Sequence, residues 1–217
     1  MKNTRVYRWD DGFSKLVSNL KNDVLNLLTQ AENESILVAV AGGSCSGKTY
    51  LTKALSESIL PVSNVIISID DYYKDIEDKS IPRDENNRVI FDHPDSYRVQ
   101  ALCQTITNLQ QGKKAWLPKY DMATNRIINP HSLELNPCPV TIVEGLFAMQ
   151  FLENTSNTLK VYLEVDRQIA LNRRLERDVP RYRVSATQIS RAFEQRVWPQ
   201  TICFVAPQKN YADIIIN

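Results

Sequence analysis

The feature that most constrains the fold is a glycine-rich segment at residues 42–49, Gly-Gly-Ser-Cys-Ser-Gly-Lys-Thr. It follows an apolar, β-branched run at residues 36–41, which indicates a buried strand, and it precedes a helical pattern over residues 49–60. The spacing fits the motif G-x-x-x-x-G-K-[ST], in which backbone N–H groups and a helix N-terminus cradle phosphate. We therefore expect these eight residues to bind the phosphates of ATP or GTP: Gly42, Gly43, Ser44, Cys45, Ser46, Gly47, Lys48 and Thr49.

Three residues are the candidates for holding the terminal phosphates and a magnesium ion. Lys48 is the motif lysine, a compact cation for the β- and γ-phosphates, and the Thr49 hydroxyl can ligate Mg²⁺. Glu144 follows a buried run at residues 140–143, and strand ends in such sheets face the ligand crevice. We assign Glu144 to Mg²⁺, acting through water, with a buried helix-capping role as the alternative.

Strand-like and helix-like segments alternate along the rest of the chain. Strands are predicted at residues 65–69, 140–143, 159–165 and 212–216, and helices at 13–31, 96–111, 168–177 and 186–197. A long loop is expected over 74–94 and a β-hairpin over 115–128. This order predicts an α/β protein with three layers, α/β/α, around a five-stranded parallel sheet.

The first 34 residues form a predicted N-terminal extension. Its helix at 13–31 carries apolar residues at helical spacing, and the width of that stripe favours packing on the domain over binding a partner. We expect it to cover surface beside the last strand, which ends the chain at Asn217.

Composition excludes several classes of protein. A formal net charge of +1 provides no overall field for nucleic acid or membranes, and the apolar runs are too short to span a bilayer. Four scattered cysteines match neither zinc spacing nor a disulfide framework. We expect a cytoplasmic protein with a small-molecule partner.

Seven segments, taken in order, resemble the uridine–cytidine kinases within the phosphoribulokinase/uridine kinase group of P-loop enzymes. Besides 42–49 they are 68–74 (Ser-Ile-Asp-Asp-Tyr-Tyr-Lys), 91–94 (Phe-Asp-His-Pro), 117–121 (Leu-Pro-Lys-Tyr-Asp), 143–145 (Val-Glu-Gly), 173–178 (Arg-Arg-Leu-Glu-Arg-Asp) and 211–215 (Tyr-Ala-Asp-Ile-Ile). The resemblance implies a P-loop kinase domain over 35–217, an arginine-rich lid and frequent homo-oligomers. It also implies a reaction, the Mg·ATP-dependent phosphorylation of a ribonucleoside 5′-hydroxyl, with uridine or cytidine as the first candidates.

The resemblance assigns roles to the substrate-facing residues. Asp70 would face the acceptor hydroxyl; it also ends a predicted strand beside the phosphate loop, where a carboxylate can accept a proton, with a loop-capping role as the alternative. Asp92 would bind the ribose diol. Tyr73, Phe91 and Tyr120 would line the base pocket, with ordinary core packing as the alternative for each aromatic ring.

The lid residues are arginines. Arg174 would reach the substrate sugar, while Arg177, Arg181 and Arg183 would face the phosphates, Arg177 as a catalytic residue and the other two from a loop after the helix. Guanidinium groups suit the charge that develops on a transferring phosphoryl group. A solvated helix face is the alternative for any one of them.

Three departures from the family pattern affect the acceptor site. The histidine expected after Tyr120 is replaced by Thr124 or Asn125, next to Arg126, a further substrate-binding candidate. The lid keeps Arg181 and Arg183 but lacks the family glycine, and Pro180 stiffens it; Arg191 replaces a glutamine that contacts substrate, which would suit a more negative acceptor. Nicotinamide riboside, a sugar phosphate, or a nucleotide-binding regulator without catalysis therefore stay as alternatives.

Overall fold

The computed structural model describes residues 4–32 and 34–217 of the chain, and residues 1–3 and 33 of the predicted N-terminal extension lie outside this range. The strands are β1 Arg5–Tyr7, β2 Ile36–Gly42, β3 Asn64–Ser68, β4 Ala115–Asp121, β5 Arg126–Leu135, β6 Val140–Gly145, β7 Thr158–Leu163 and β8 Ile214–Ile216. Six of them form one parallel sheet in the order β1-β8-β7-β2-β6-β3. The other two, β4 and β5, form an antiparallel hairpin.

Helices cover both faces of this sheet. They are α1 Phe13–Gln30, α2 Lys48–Ser58, α3 Val99–Gln110, α4 Ala148–Phe151, α5 Arg167–Tyr182, α6 Ala186–Ala192 and α7 Trp198–Gln200. Two π-helical segments, Phe193–Val197 and Thr201–Val205, alternate with α6 and α7 to make a nearly continuous helical run, which a 3₁₀ segment, Ala206–Tyr211, ends. The predicted α/β class is confirmed.

The central strand β2 separates two hydrophobic cores because its side chains alternate between the faces of the sheet. Leu37, Ala39 and Ala41 enter one core with α3, α4 and the hairpin. The residues between them enter the second core, with α1 and α2. All seven residues of β2 are buried, as expected for a strand covered on both sides.

The sheet has six strands where the sequence predicted five. The additional strand is β1, only three residues long, which pairs in parallel with β8 at the edge of the sheet. A short strand carrying an exposed arginine is typical of a sheet edge and gives little periodic signal. Helix α1 packs its apolar stripe, which includes Leu16, Leu20 and Val24, into the second core. The division of the chain at residues 34 and 35 stays a prediction.

The predicted hairpin is present, and its second strand continues to Leu135, beyond the predicted end at residue 128. The lid helix is also longer than predicted, because α5 continues through Pro180 to Tyr182. Proline's fixed φ is compatible with a helix, although Pro180 cannot donate the backbone hydrogen bond that an unbroken helix would direct to Glu176. Arg181 therefore lies in the helix rather than in a loop, and Arg183 is its C-cap with φ 54°.

Within the described part of the chain, no helix is long and apolar enough to cross a membrane.

Candidate active site

A cavity of about 870 Å³ lies at the carboxyl ends of β2, β3 and β6. The glycine-rich segment between β2 and α2 forms its floor, and α5 and the helical run after α6 contribute to its wall. In parallel α/β sheets, ligand sites lie at the carboxyl ends of the strands because strand ends and helix N-termini meet there. The cavity is therefore where the predicted site residues are expected to converge.

The phosphate loop requires glycine at two positions for different reasons. A Cβ atom on Gly42 would lie 2.4 Å from the backbone oxygen of Leu163, so only glycine lets β2 and β7 approach this closely. Gly47 has φ 101°, a left-handed conformation that directs the chain into α2. Helix α2 thus begins at Lys48 with its N-terminus toward the cavity, a suitable site for an anion.

Lys48 is buried, and its Nζ donates hydrogen bonds of 2.9 Å to the backbone oxygens of Gly42 and Gly43. Burial lowers its pKa, while the charges of Glu144 and Asp70 oppose that shift. Ser46 Oγ is buried at the same floor and has no hydrogen-bond partner within residues 4–32 and 34–217. A cation and an unsatisfied hydroxyl in a glycine-rich loop fit the phosphates of a nucleotide.

Thr49 and Glu144 meet across the floor of the cavity. The Thr49 hydroxyl donates a hydrogen bond of 3.2 Å to Glu144 Oε1, and the Glu144 side chain is buried at the end of β6. No group of three or more His, Cys, Asp or Glu residues suited to a metal occurs in the described chain. Two protein oxygens fit a Mg²⁺ ion that takes its other ligands from phosphates and water.

Two further carboxylates face the cavity. Asp70 lies in a 3₁₀ turn directly after β3, where its backbone N–H donates to Ser68 Oγ at 3.3 Å. Burial raises the Asp70 pKa to about 7; the Glu144 charge adds to the shift and Lys48 opposes it. Burial also raises the pKa of Asp92, against the opposing charges of Arg174 and Lys48. Asp71, the neighbour of Asp70, instead accepts a hydrogen bond from the Tyr120 backbone.

Aromatic rings enclose the cavity near Asp70 and Asp92. The ring of Tyr73 stacks on Tyr97 at 4.2 Å, meets Phe91 edge-on at 5.6 Å and lies 5.5 Å from Tyr120. The Tyr97 hydroxyl donates to that of Tyr73 at 2.5 Å. The Tyr120 hydroxyl is buried and has no hydrogen-bond partner in the part of the chain that the structure describes. These rings provide apolar walls and one unsatisfied polar atom for a planar ligand.

Helix α5 brings three arginines to the cavity. Arg173 donates to the Cys45 backbone oxygen and Arg174 to Ser44 Oγ, each at 3.2 Å, so both hold the phosphate loop. Arg177 also lines the cavity and pairs with Asp178, which raises the pKa of Arg177. Arg196, in the first π-helical segment, adds a fourth guanidinium.

Four of the predicted site arginines lie outside the lining of this cavity. Arg126 pairs with Glu77 at the hairpin, and the Arg181 guanidinium lies over the Tyr182 ring at 5.3 Å. The other two are Arg183, the C-cap of α5, and Arg191, in α6. Their assigned contacts with phosphate or substrate stay predictions.

Of the two residues that could replace the family histidine, Asn125 reaches the cavity, whereas the Thr124 hydroxyl donates to Asp121 at 2.7 Å. Other cavity residues are not among the predicted site residues. Arg173 and Arg196 lie within the basic segment, but helical spacing alone does not show which arginines face inward. Three aromatic residues of the lining, from α1, α2 and the turn before α1, are also absent from the prediction: Trp9, Phe13 and Tyr50. No motif marks Trp9 or Phe13, because their positions depend on how β1 and α1 dock on the sheet.

Comparison with known protein sequences shows which family this chain is similar to. The sequence profile of the Phosphoribulokinase / Uridine kinase family matches residues 37–217. A uridine kinase of Chloroflexus aggregans is 34% identical over 182 residues, 83% of this chain and 85% of that protein. A uridine kinase of Staphylococcus aureus is 32% identical over 182 residues, 83% of this chain and 86% of that protein.

Solved structures share the fold at lower identity. D-glycerate 3-kinase from Cryptococcus neoformans superposes with a TM-score of 0.65 at 15% identity, covering 86% of this chain and 87% of that one. A Bacillus stearothermophilus protein described as a possible uridine kinase gives a TM-score of 0.59 at 18% identity, covering 92% of this chain and 100% of that one.

Proposed function

The chain belongs to the phosphoribulokinase/uridine kinase family, and we propose that it transfers the γ-phosphoryl group of ATP to the 5′-hydroxyl of a ribonucleoside. Family membership supports a phosphotransferase; the nucleoside acceptor, with uridine or cytidine first, is the finer part of the proposal. One observation carries it: Asp70, with a pKa near 7, faces the same cavity as the phosphate loop.

Asp70 has the properties of the residue that receives the acceptor proton. A carboxylate with a pKa of about 7 is half ionised at neutral pH and can still take up a proton, the best compromise for a general base. In the proposed step, Asp70 accepts a hydrogen bond from the 5′-hydroxyl and takes its proton as the oxygen bonds to the γ-phosphorus. The bond from that phosphorus to the β-phosphate oxygen breaks, ADP leaves, and Asp70 later returns the proton to water.

The other residues stabilise charge and exclude water. Lys48 and Arg177 lie on the cavity wall, where they can offset the negative charge of the transferring group. Bound at Thr49 and Glu144, Mg²⁺ would neutralise phosphate charge. Asp92 is buried among cations and can accept hydrogen bonds from two ribose hydroxyls, while Tyr73, Phe91 and Tyr120 form a slot for a planar base.

The test is a steady-state assay of ADP release with Mg·ATP and a panel of acceptors: uridine, cytidine, nicotinamide riboside and sugar phosphates. We expect turnover with a pyrimidine nucleoside, and Asp70→Asn should lower kcat by roughly a hundredfold or more because it removes the base. Asp71→Asn is the matched control, since an amide oxygen can still accept the hydrogen bond from the Tyr120 backbone. Absence of turnover with both pyrimidine nucleosides would contradict the nucleoside assignment.

A phosphorylated sugar is the second candidate acceptor, and Arg196 is the observation that favours it. This guanidinium lines the cavity close enough to Asp92 for their charges to interact, and it has no hydrogen bond or salt bridge with any residue that the structure describes. A free guanidinium beside the sugar end of the site suits an acceptor phosphate. For such an acceptor, Arg196→Gln should raise its KM by about tenfold or more, whereas the KM for a nucleoside should change little.

A further inference from the structure

Three aromatic residues form a stacked wall over one side of the phosphate loop. The Trp9 ring stacks on Phe13 with centroids 5.9 Å apart, and Phe13 stacks on Tyr50 at 4.5 Å. A Cβ atom on Gly47 would lie 3.7 Å from the Trp9 indole, so this ring lies directly above the loop. All three side chains line the same cavity as Lys48, and Tyr50 is 64% exposed. We call Trp9, Phe13 and Tyr50 the aromatic wall.

The aromatic wall and the proposed acceptor residues reach the phosphate loop from opposite edges of the sheet. Asp70 follows β3 at one edge, while Trp9 follows β1 at the other edge, and β2, which leads into the loop, lies between them. A molecule whose phosphates lie on the loop therefore has two directions in which to extend. The direction toward β3 leads to Asp70 and Asp92, and the direction toward β1 leads to the wall.

The position of the wall is fixed by the edge of the sheet. The Trp9 backbone N–H donates to Asn217 at 3.0 Å, and the Asn217 N–H donates to Tyr7 at 3.1 Å. The Tyr7 hydroxyl donates in turn to Asp23 of α1 at 2.7 Å, which ties β1 to the helix that carries Phe13. Aromatic surface held this firmly, and open to a cavity, is suited to a ligand rather than to core packing alone.

We propose that the aromatic wall binds the nucleobase of the phosphate donor, with Trp9 as the main stacking surface. The proposal rests on the kinase function above, since a triphosphate bound on the loop with its terminal phosphate toward Asp70 directs its nucleoside toward β1. The three rings line the cavity, and no hydrogen bond from the Trp9 side chain is found within the described residues. Stacking on ring faces tolerates any base. The wall itself therefore does not distinguish ATP from GTP.

The test compares a ligand that has a base with one that lacks it. Calorimetric titration of the full-length protein with ADP and with pyrophosphate, both in the presence of Mg²⁺, separates base contacts from phosphate contacts. Trp9→Ala should weaken ADP binding by about tenfold, the usual loss for one base–aromatic stack, and leave pyrophosphate binding within about twofold. Trp9→Phe keeps a stacking face and should restore most of the ADP affinity.

Two further variants keep the test decisive. Tyr50→Ala removes a largely exposed ring and is not expected to affect folding, so it replaces Trp9→Ala if that variant proves unstable. Trp116→Ala, on the distant hairpin and 45% exposed, is the matched tryptophan control and should bind ADP normally.

The outcomes separate the two proposals. Equal ADP affinity in the wild type, Trp9→Ala and Tyr50→Ala would overturn the role of the wall while leaving the kinase function intact. A wild-type protein that binds neither ADP nor pyrophosphate would overturn both.

Discussion

Arg177 and Asp178 are neighbours in sequence and form a two-point ion pair in helix α5, with Nε 2.7 Å from Oδ1 and Nη2 3.1 Å from Oδ2. The Asp178 side chain is 3% exposed and also lies 3.2 Å from Arg174 Nε. One buried carboxylate thus orients two arginines that line the cavity. Because the three residues lie on one turn of one helix, the arginines are positioned before any substrate binds.

Asp178→Asn should therefore impair catalysis without removing a group that touches substrate. We expect kcat to fall by about tenfold or more because the two guanidinium groups lose the carboxylate charge that they share. The unfolding free energy should fall by only about 1–2 kcal/mol, because Arg177 is partly exposed and water weakens its ion pair. Steady-state kinetics and thermal unfolding measure the two effects. Glu176→Gln, an exposed change on the same helix, is the control. An unchanged kcat would show that the arginines do not need Asp178.

The pKa of Asp70 predicts the pH dependence of turnover. Burial raises this pKa to about 7, and the ionised form is the one that accepts the hydroxyl proton. With ATP far below saturation, the kcat/KM for the acceptor should therefore rise with pH through a midpoint near 7 and then level off, because under this condition the ratio reports ionisation in the free enzyme. Rate measurements between pH 5.5 and 9, roughly spanning that midpoint, test this. A flat profile across pH 7 would be inconsistent with Asp70 as the base.

The same pKa shift predicts an effect on stability. An acid whose folded pKa lies above its unfolded value binds protons more tightly when folded, so its contribution favours folding at low pH and is lost as pH rises toward 7. Asp70→Asn removes the buried charge and should raise the melting temperature at pH 8 by about 2–4 °C for each kcal/mol recovered. The difference from the wild type should shrink at pH 5, and a difference independent of pH would refute the linkage.

Glu144 predicts how the reaction depends on magnesium. Glu144→Gln keeps the size of the side chain and can still accept the Thr49 hydrogen bond, but removes the charge that attracts the ion. The Mg²⁺ concentration for half-maximal activity should rise by about tenfold, whereas chelation should stop both enzymes. Titration of activity with Mg²⁺ at fixed ATP measures this, with the exposed Glu153→Gln as the control. Identical titration curves for wild type and Glu144→Gln would argue against this carboxylate as a magnesium ligand.

Local sequence signals were sufficient for much of the fold. The buried run at 36–41, the glycine spacing after it and the alternation of strands with helices each depend on neighbours along the chain, and the structure agrees with them. The three-residue strand β1 carries no such signal, because its extended conformation depends on pairing with β8 at the other end of the sequence. The end of α5 was also misjudged, because Pro180 indicates a boundary but the helix continues to Tyr182.

In the candidate site, too, some residues are marked by local sequence and others are placed only by tertiary packing. Lys48, Thr49, Asp70 and Glu144 lie in motifs or at strand ends, so the sequence could mark them, and the structure brings them to one cavity. Which arginine faces inward depends on the rotation of a helix about its axis, and Arg191 and Arg196 show that adjacent turns can differ. The aromatic wall depends on a sheet edge formed by distant segments.

The pairing of β1 with β8 also sets the order in which the site can be completed during synthesis. Arg5 and its partner Ile214 are about 200 residues apart, and β8 is translated long after the phosphate loop. Chains emerge from the ribosome at roughly 5–20 residues per second, so the loop is exposed for seconds before the strand that positions Trp9 exists. A nascent chain of this protein can thus pair β2 with β6 and β7 before β8 exists, but it gains the ring above Gly47 only when β8 has left the ribosome.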